Sequence, residues 1–498
     1  MRSNRRSVSR RGFLKSSAAI AGVAAFSKWT ARSYSQISGA NSDIRIAVVG
    51  CNDCGRSHIN QLLRLDGVRI VALCDVDQAV LDSRLAIISA FASTRPSQTP
   101  VAQYGDVRKL LESKDLDAIT TATPNHWHAL ITVWACQAGK DVYVEKPVCH
   151  NVWEGAQALA ASRKYNRIVQ AGTQWRSIPQ VFEAFEWVKA GNLGKIQVAR
   201  GLCYKRRASI GKTDGPQPVP ATVNYDMWCG PSPNTPLRRK NLHYDWHWVW
   251  PTGNGDIGNQ GAHNMDLARW ALGKSTPAPS VISVGGRFGY IDDGVTPNTL
   301  MTVHDYGDSM LIFEVRGLPT NSSAGNRMDK YKGADVGNVI ECEGGYVSIT
   351  AQNFAAFDNN GKQIRQFDGS SVTRDRSHME NFLNAMRSRR REDQNGELAE
   401  GFMSSALSHI SNISYLLGKQ SDPDAIRAQL KSNSAASETF DRFQAHLSAN
   451  EIDLKLNEAT LGAPLSVDPP NLRFVDNEAA NAMLTREYRE PFVVRDSI

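Results

Sequence analysis

The chain has 498 residues, 41% hydrophobic and 21% charged, an ordinary globular composition in a chain too long for one simple core, so two or more domains are expected. Its formal charge is +7, but eight Arg and Lys residues fall before residue 36 with no acid among them, so the remainder carries about −1. A near-neutral body offers no basic field to a phosphate backbone, and nucleic acid is not a favoured partner.

Ser9 to Lys15 reads SRRGFLK, followed by the short, weakly apolar run SSAAIAGVAAF. A positive stretch and a brief apolar one make a secretory signal, too short to span a membrane as a mature helix. The paired arginines before Gly-Phe-Leu-Lys resemble a twin-arginine signal, a receptor-read address. That resemblance implies export of an already folded protein, often with its cofactor inserted, to the periplasm or another extracytoplasmic space. Residues 1–40 are expected to be signal and linker. No later stretch of about 18 apolar residues occurs, so no transmembrane segment is expected after signal removal.

The run IRIAVVG (44–50) is β-branched and suits a buried parallel strand. It leads into GCNDCG (50–55), where Cys51 and Cys54 have the spacing of a redox dithiol or half a metal site, while Gly50, Asn52 and Gly55 have that of a dinucleotide loop. The context decides. RSHINQLLRL (56–65) follows with helical spacing, then the strand VRIVALCD (68–75), ending in Asp75 twenty residues beyond Gly55. Strand, tight turn, helix, strand and acid make the βαβ dinucleotide unit. Gly50 allows the turn, Gly55 allows close helix–strand packing, and the helix N-terminus presents N–H groups to a pyrophosphate. Asn52 replaces the middle glycine and is tolerable as a residue that enters left-handed backbone. Gly50, Asn52, Cys54 and Gly55 are read as cofactor-binding. Asp75 would accept from the adenosine ribose hydroxyls, favouring NAD over NADP. The other cysteines form no second C-x-x-C, so no metal is expected, and a Cys51–Cys54 disulfide after export stays open.

Residues 116–151 read LDAITTATPNHWHALITVWACQAGKDVYVEKPVCHN: a strand, an amphipathic helix (HWHALITVWACQAG) and a second strand running into Glu-Lys-Pro. Downstream comes GNGDIGNQGAHNMDLARWALG (253–273), then the helices HMENFLNAMRSRRRE and EGFMSSALSHISNISYLLGK and the tail LTREYREPFVV. T-P-N-x-x-H, E-K-P and a glycine-rich G-x-H motif after a dinucleotide loop resemble the glucose–fructose oxidoreductase / inositol dehydrogenase (Gfo/Idh/MocA) family over nearly the whole mature chain. The resemblance implies an NAD(P)-dependent oxidoreductase acting on CH–OH donors. It implies that Lys146 hydrogen-bonds the reacting hydroxyl and the cofactor. Glu145 reaches toward the nicotinamide ribose, Thr123, Pro124 and Asn125 line the nicotinamide pocket, and His263 is the general acid/base. The residue types suit the chemistry, since a histidine moves protons near neutral pH and a cationic lysine stabilises a developing alkoxide. Asn259 stands where many members have Asp, four residues before the histidine. An amide can orient the base but brings no charge, which leaves Asp256 or Asp266 to supply it.

The fold class expected is α/β: an N-terminal Rossmann domain (41–171), an α+β domain with a large, open, mainly antiparallel sheet (172–420) and a C-terminal extension packed on the body (421–498). TLMTVHDYGDSMLIFEV (299–315) reads as two strands around a turn, and NFAAFDNNGKQIRQF (353–367) as a hairpin. In HYDWHWVWPTGNG (243–255) a period of two sends Trp246, Trp248 and Trp250 to one face of a strand, either a platform for a sugar's C–H face or a core stripe. Gln174, Arg176, Tyr204, Trp246, Asn259 and His263 are the candidate substrate contacts. The substrate expected is a sugar, cyclitol or related polyol, and a homo-oligomer is expected. An exported enzyme has no free NAD pool, so the cofactor should be tightly held. This raises an alternative, a redox-neutral glycosidase or lyase working by transient oxidation and elimination.

Overall fold

The β-branched run beginning at Ile44 forms β1 (Ile44–Val49), buried along nearly its whole length, and turns at Gly50 into α1 (Asp53–Leu62). The chain then alternates: β2 (Val68–Cys74), α2 (Gln78–Ala92), β3 (Ala102–Tyr104), α3 (Val107–Leu111), β4 (Ala118–Thr121), α4 (Asn125–Gln137), β5 (Asp141–Val144), α5 (Val152–Lys164) and β6 (Val169–Ala171). The computed structural model describes residues 43–92, 100–368 and 374–496, and the twin-arginine-like segment lies outside them. The six strands pair in parallel in the order β3-β2-β1-β4-β5-β6. The order reverses between β1 and β4, and that switch point opens the cleft in which α/β sheets bind ligands. One expectation is corrected here. α4 is not amphipathic: from Asn125 to Cys136 only Trp134 escapes full burial, because the helix is covered by the sheet on one side and by later segments on the other.

α6 (Pro179–Lys189) leads to β7 (Ile196–Tyr204), after which residues 205–254 carry only α7 (Tyr225–Cys229) and a 3₁₀ turn, Asp245–Trp248. α8 (Gly255–Asn259) and α9 (Gly261–Leu272) precede β8 (Ser280–Gly286), β9 (Thr299–Asp305), β10 (Met310–Arg316), β11 (Val336–Cys342), β12 (Gly345–Thr350), β13 (Phe354–Asp358) and β14 (Gln363–Gln366). α10 (Arg374–Ser388), α11 (Leu398–Leu416), β15 (Lys419–Ser421), α12 (Pro423–Leu430), α13 (Ser434–Ala449), β16 (Ala459–Leu461), β17 (Leu465–Asp468), β18 (Arg473–Phe474) and α14 (Glu478–Ala482) complete the chain. The second sheet has twelve strands, its main path running β14-β13-β12-β11-β7-β10-β9-β8-β16-β15 with β17 and β18 off it. Of its pairings only β7–β10 is parallel, so the large antiparallel sheet expected from the sequence is present.

Two segments pack away from their neighbours in sequence. α10 follows the second sheet but packs Met379, Phe382 and Leu383 into a core with Ile46 of β1 and Ile59 and Leu62 of α1. The residues after 420 do more than cover the body. β16 and β17 hydrogen-bond to β8, and Phe440, Phe443 and Leu447 of α13 enter a core with Val284, Met301 and Ile312. Among the described residues no helix is long and apolar enough to cross a membrane.

Candidate active site

Gly50 has φ +74°, and a Cβ there would come within 2.7 Å of the Thr123 backbone nitrogen; one on Gly55 would meet the Gly50 carbonyl oxygen at 1.9 Å. These two glycines let the loop press against the end of β4 and the start of α1 close on the loop, where any larger side chain would collide with backbone. Asn52 does not play the backbone part expected of it. Its φ is −82°, and the positive φ falls on the next residue, Asp53, at +32°. Asn52 lines the cavity and is tied to α2: Oδ1 accepts from Arg84 Nη2 at 2.9 Å, and Arg84 Nε donates to the Cys51 carbonyl. Asp75 closes the loop from below, its two oxygens accepting from the Cys51 and Asp77 backbone N–H groups at 2.7 and 3.0 Å. Burial raises its pKa. Carboxylate oxygens so placed keep lone pairs for ribose hydroxyls, and the glycine loop, helix start and acid together fit a dinucleotide.

The cysteines sit in different surroundings. Cys51 is buried with its Sγ against the Val48 and Cys74 carbonyls, and burial pushes its thiol well above the usual range. Cys54 is exposed, with Sγ 3.8 Å from His58 Nε2. Cys54, His58 and Glu145 bring three metal-capable atoms within 4.8 Å of one another. A metal on His58 Nε2 would put the ring proton on Nδ1, which is buried with no acceptor among the described residues. The second-sphere support that metal-bound histidines take is missing there.

A cavity of about 430 Å³ runs from this loop to the glycine-rich motif at 253–263, within the usual size for small-ligand sites. Thr123, Pro124 and Asn125 line it at the switch point, Glu145 and Lys146 at the end of β5, and Asn259 and His263 from the second half of the chain. Asn125 Nδ2 donates to Asn254 Oδ1 at 2.9 Å, which ties the first motif to the last. Glu145 accepts from Gln174 Nε2 at 2.9 Å and lies 3.2 Å from His58 Nε2. Burial opposes its charge, but the His58 hydrogen bond and nearby positive groups outweigh it and hold its pKa at about 2. Lys146 Nζ donates to the Asn259 carbonyl and Oδ1 at 2.7 and 3.2 Å. Burial lowers its pKa, with Glu145 pulling the other way. Asn259 therefore orients the lysine. Both acids proposed to serve His263 pair with arginines: Asp256 forms a bidentate pair with Arg207, and Asp266 one with Arg176.

Two expected substrate contacts are elsewhere. Arg176 is buried and does not line the cavity, its Nε and Nη2 donating to Asp266 at 2.7 and 2.9 Å and Nη2 to Glu400 at 3.0 Å. Tyr204 is buried under α13, donating to Glu314 at 2.7 Å and accepting from Arg442 at 2.9 Å. The three tryptophans do not share a face, because their segment is a 3₁₀ turn and not a strand. Trp246 lines the cavity and stacks on His247, Trp248 lies under Arg207, and Trp250 reaches Tyr415.

Residues of the 205–254 segment that the sequence did not single out also close the cavity, among them Met227, Trp228, His243 and Tyr244. The segment is strapped to the end of β2: Gln78 N donates to Thr222 O at 3.0 Å, Asn224 N to Val76 O at 2.8 Å, and His243 Nε2 lies 3.0 Å from Asp77 Oδ2. α4 holds it from beneath through Trp127 Nε1 to the Met227 carbonyl. The C-terminal tail holds it from outside, with Arg489 donating to Asp226 and Gly230 and Phe492 packed edge-on against Trp127. The strap brings together residues far apart in sequence, and no local pattern announced it.

Residues 44–173 match the model of an oxidoreductase family's NAD-binding Rossmann fold, and 187–316 that of the same family's C-terminal alpha/beta domain. Together they span more than half of the chain. A glycosyl hydrolase family 109 protein of Shewanella sp. (strain W3-18-1) is 33% identical over 124 residues, 24% of this chain and 26% of that protein, so the chain spans about a quarter of the length of the curated relatives it matches. Among solved structures, the WlbA dehydrogenase from Bordetella pertussis in complex with NADH and UDP-GlcNAcA has a TM-score of 0.54 at 18% identity, over 73% of this chain and 94% of that one. An oxidoreductase from Agrobacterium radiobacter in complex with NAD+, L-tartaric acid and magnesium has a TM-score of 0.53 at 13% identity, over 74% and 95%. These distant structures share the fold. With both of its domains matched, the chain belongs to the Gfo/Idh/MocA family of NAD-binding oxidoreductases.

Proposed function

We propose that the protein uses NAD to oxidise a secondary hydroxyl of a sugar, cyclitol or related polyol, with Lys146 and His263 handling the proton. The observation that carries this reading is the cavity itself, lined by the glycine loop and Asp75 and also by a buried lysine and a histidine. The nicotinamide, when bound, supplies the two-electron acceptor. Lys146 Nζ donates a hydrogen bond to the substrate oxygen and stabilises the negative charge that develops there, while His263 takes the hydroxyl proton and returns it in the reverse direction. Asn259 fixes the ammonium through two contacts, so the donor needs no reorganisation during the reaction. Asp75 favours NAD, since a carboxylate repels a 2′-phosphate. The strap over the adenosine end supports a cofactor held through many turnovers, as export along the twin-arginine route to the periplasm would require.

The relatives named as glycosyl hydrolases favour a second reading. Oxidation of a ring hydroxyl acidifies the adjacent C–H; its loss expels the aglycone, water adds, and the ketone is reduced again with no net change in the cofactor. One experiment tests both. Protein purified from the native host is unfolded and assayed for released dinucleotide by mass spectrometry, and the folded protein is incubated with sugars, inositols and nitrophenyl glycosides. Net growth of nicotinamide absorbance marks the dehydrogenase. Aglycone release without it, with solvent deuterium entering the sugar, marks the redox-neutral enzyme. Protein that releases no dinucleotide and shows neither activity with dinucleotide added refutes the proposal.

A further inference from the structure

His247 has no part in the chemistry above, yet it lines the same cavity as Lys146, Asn259 and His263. Its Nδ1 lies 2.6 Å from the Tyr244 carbonyl oxygen. A carbonyl only accepts, so Nδ1 carries the proton. In the neutral ring Nε2 is then a bare acceptor, and it meets no partner among the described residues. Burial, with the charges of Lys146 and Arg207, keeps the ring neutral by lowering its pKa to about 3. The ring is also fixed in orientation. It stacks on Trp246 at 3.6 Å and 21°, and the turn beneath it is pinned at both ends, with the Trp246 carbonyl accepting from Thr252 Oγ1 and the Trp248 carbonyl from Val295 N. Gly253 lets the next segment close on that turn, since a Cβ there would come within 2.5 Å of the His247 carbonyl oxygen.

From this we infer that His247 Nε2 is a specificity-determining acceptor that receives the hydrogen bond of a second substrate hydroxyl, one that is not oxidised. The inference rests on the proposed reaction and narrows its substrate class to compounds with at least two free hydroxyls, of which one donates to His247. A preorganised neutral acceptor suits this task, because a site built to pair with a hydroxyl rejects the analogue lacking it far more strongly than an apolar pocket rejects an extra group. A charged imidazole would offer only donors.

The test uses the holoprotein and the compound from the sugar, inositol and nitrophenyl glycoside panel that turns over fastest, together with its monodeoxy and mono-O-methyl derivatives. The parent protein should lose roughly 10- to 100-fold in kcat/KM on one deoxy derivative, the weight of one acceptor left unpaired. His247→Phe keeps a ring against Trp246 but has no acceptor. It should lose a similar factor on the full substrate, mainly through KM, and nothing further on that deoxy derivative. His247→Gln, which restores an acceptor oxygen, should recover part of the loss. A His247→Phe protein within threefold of the parent on the full substrate, or one that still discriminates against the same deoxy derivative, overturns the inference while leaving the proposed reaction standing. Nitrogen-15 NMR supplies an arm that needs no substrate. The His247 signals should remain those of the neutral Nδ1–H tautomer from pH 8 to 5, and an Nε2–H tautomer or titration near pH 6.5 overturns it even if no compound on the panel reacts.

Discussion

Lys146 and Asn259 form the contact on which the electrostatics of the reacting end turn. The lysine is buried and its pKa lowered, and the group holding it is an amide where many relatives, by the family resemblance, carry an acid. Asn259→Asp would set a carboxylate about 3 Å from the ammonium, which favours the charged form and raises the lysine pKa. Loss of that charge limits activity on the alkaline side, so the alkaline limb of the kcat/KM profile should move to higher pH. Movement of the acid limb alone would show that residue 259 acts on His263. Removing the groups themselves is a coarser test. His263→Ala should lower turnover roughly 10²–10⁴-fold and Lys146→Ala by roughly 10²–10³-fold, with the dinucleotide still bound, and the double variant should fall short of the product because both groups serve one proton transfer. Full turnover after either single change would remove that residue from the mechanism. At this scale the glycine loop and Asp75 were legible because their logic is local, a strand, a turn and a helix within about thirty residues. Arg176 and Tyr204 were misread because their partners are remote: Asp266 and Glu400 lie 90 and 224 positions from Arg176, and Glu314 and Arg442 lie 110 and 238 from Tyr204. A polar side chain on a promising strand reads the same whether it faces a ligand or a buried counter-charge.

Between elements, the feature that most shapes the site is the strap 205–254, held by β2, α4 and the tail. The one element expected there was a strand in the Trp-rich stretch, because alternating aromatics have the period of one. What fixes the strap is hydrogen bonding between distant segments, above all Arg489 with three acceptors on residues 226–230. The tail therefore braces a wall of the cavity without lining it, and should act on a bound cofactor from there. A chain ending at residue 483 should bind the dinucleotide faster and release it at least tenfold faster, read by stopped-flow displacement of NADH fluorescence. Arg489→Ala should give a smaller change of the same sign, since it removes the latch but keeps Phe492 against Trp127. Release rates equal to those of the full chain in both would show that the strap holds its position alone. A second tie lies under the cavity floor. His128 Nδ1 and Nε2 each lie 2.7 Å from a carbonyl oxygen, of Pro147 and of Thr123, so one ring spans the T-P-N and E-K-P turns. The match of those turns to one motif was visible in the sequence; that the motif's own histidine joins them was not.

Taken whole, the molecule buries an unusual number of histidines, and this sets its response to acid. Burial lowers the pKa of His126, His247 and His304 to about 3 and of His409 to about 4, and His150 is also held well below its ordinary value. In the unfolded chain each returns to about 6.5. Between the two values the unfolded chain takes up protons that the folded one refuses, so stability is fully present above pH 6.5 and is lost as pH falls toward 3, by about 1.4 kcal/mol per pH unit per group. His126, His247, His304 and His409 alone remove roughly 5 kcal/mol per unit, comparable with the whole stability of a typical domain. Asp75, Asp245 and Glu154, buried acids with raised pKa values, work in the opposite sense. Below about pH 4.5 Glu145 and Glu314, both held at about 2, add to the loss. The histidines outnumber the three opposing acids, so the melting temperature should fall by on the order of 10 °C between pH 7 and pH 5, well before ordinary carboxylates titrate. His304→Gln removes one of these groups while leaving a polar atom to pair with Ser411, which His304 Nε2 contacts at 2.9 Å, and should flatten the dependence by about one proton's worth of slope. The measurement is thermal denaturation of the parent and of His304→Gln in a buffer series at fixed ionic strength. A melting temperature that is level or rising from pH 7 to 5 would mean that these rings are charged, or open to water, in the folded protein.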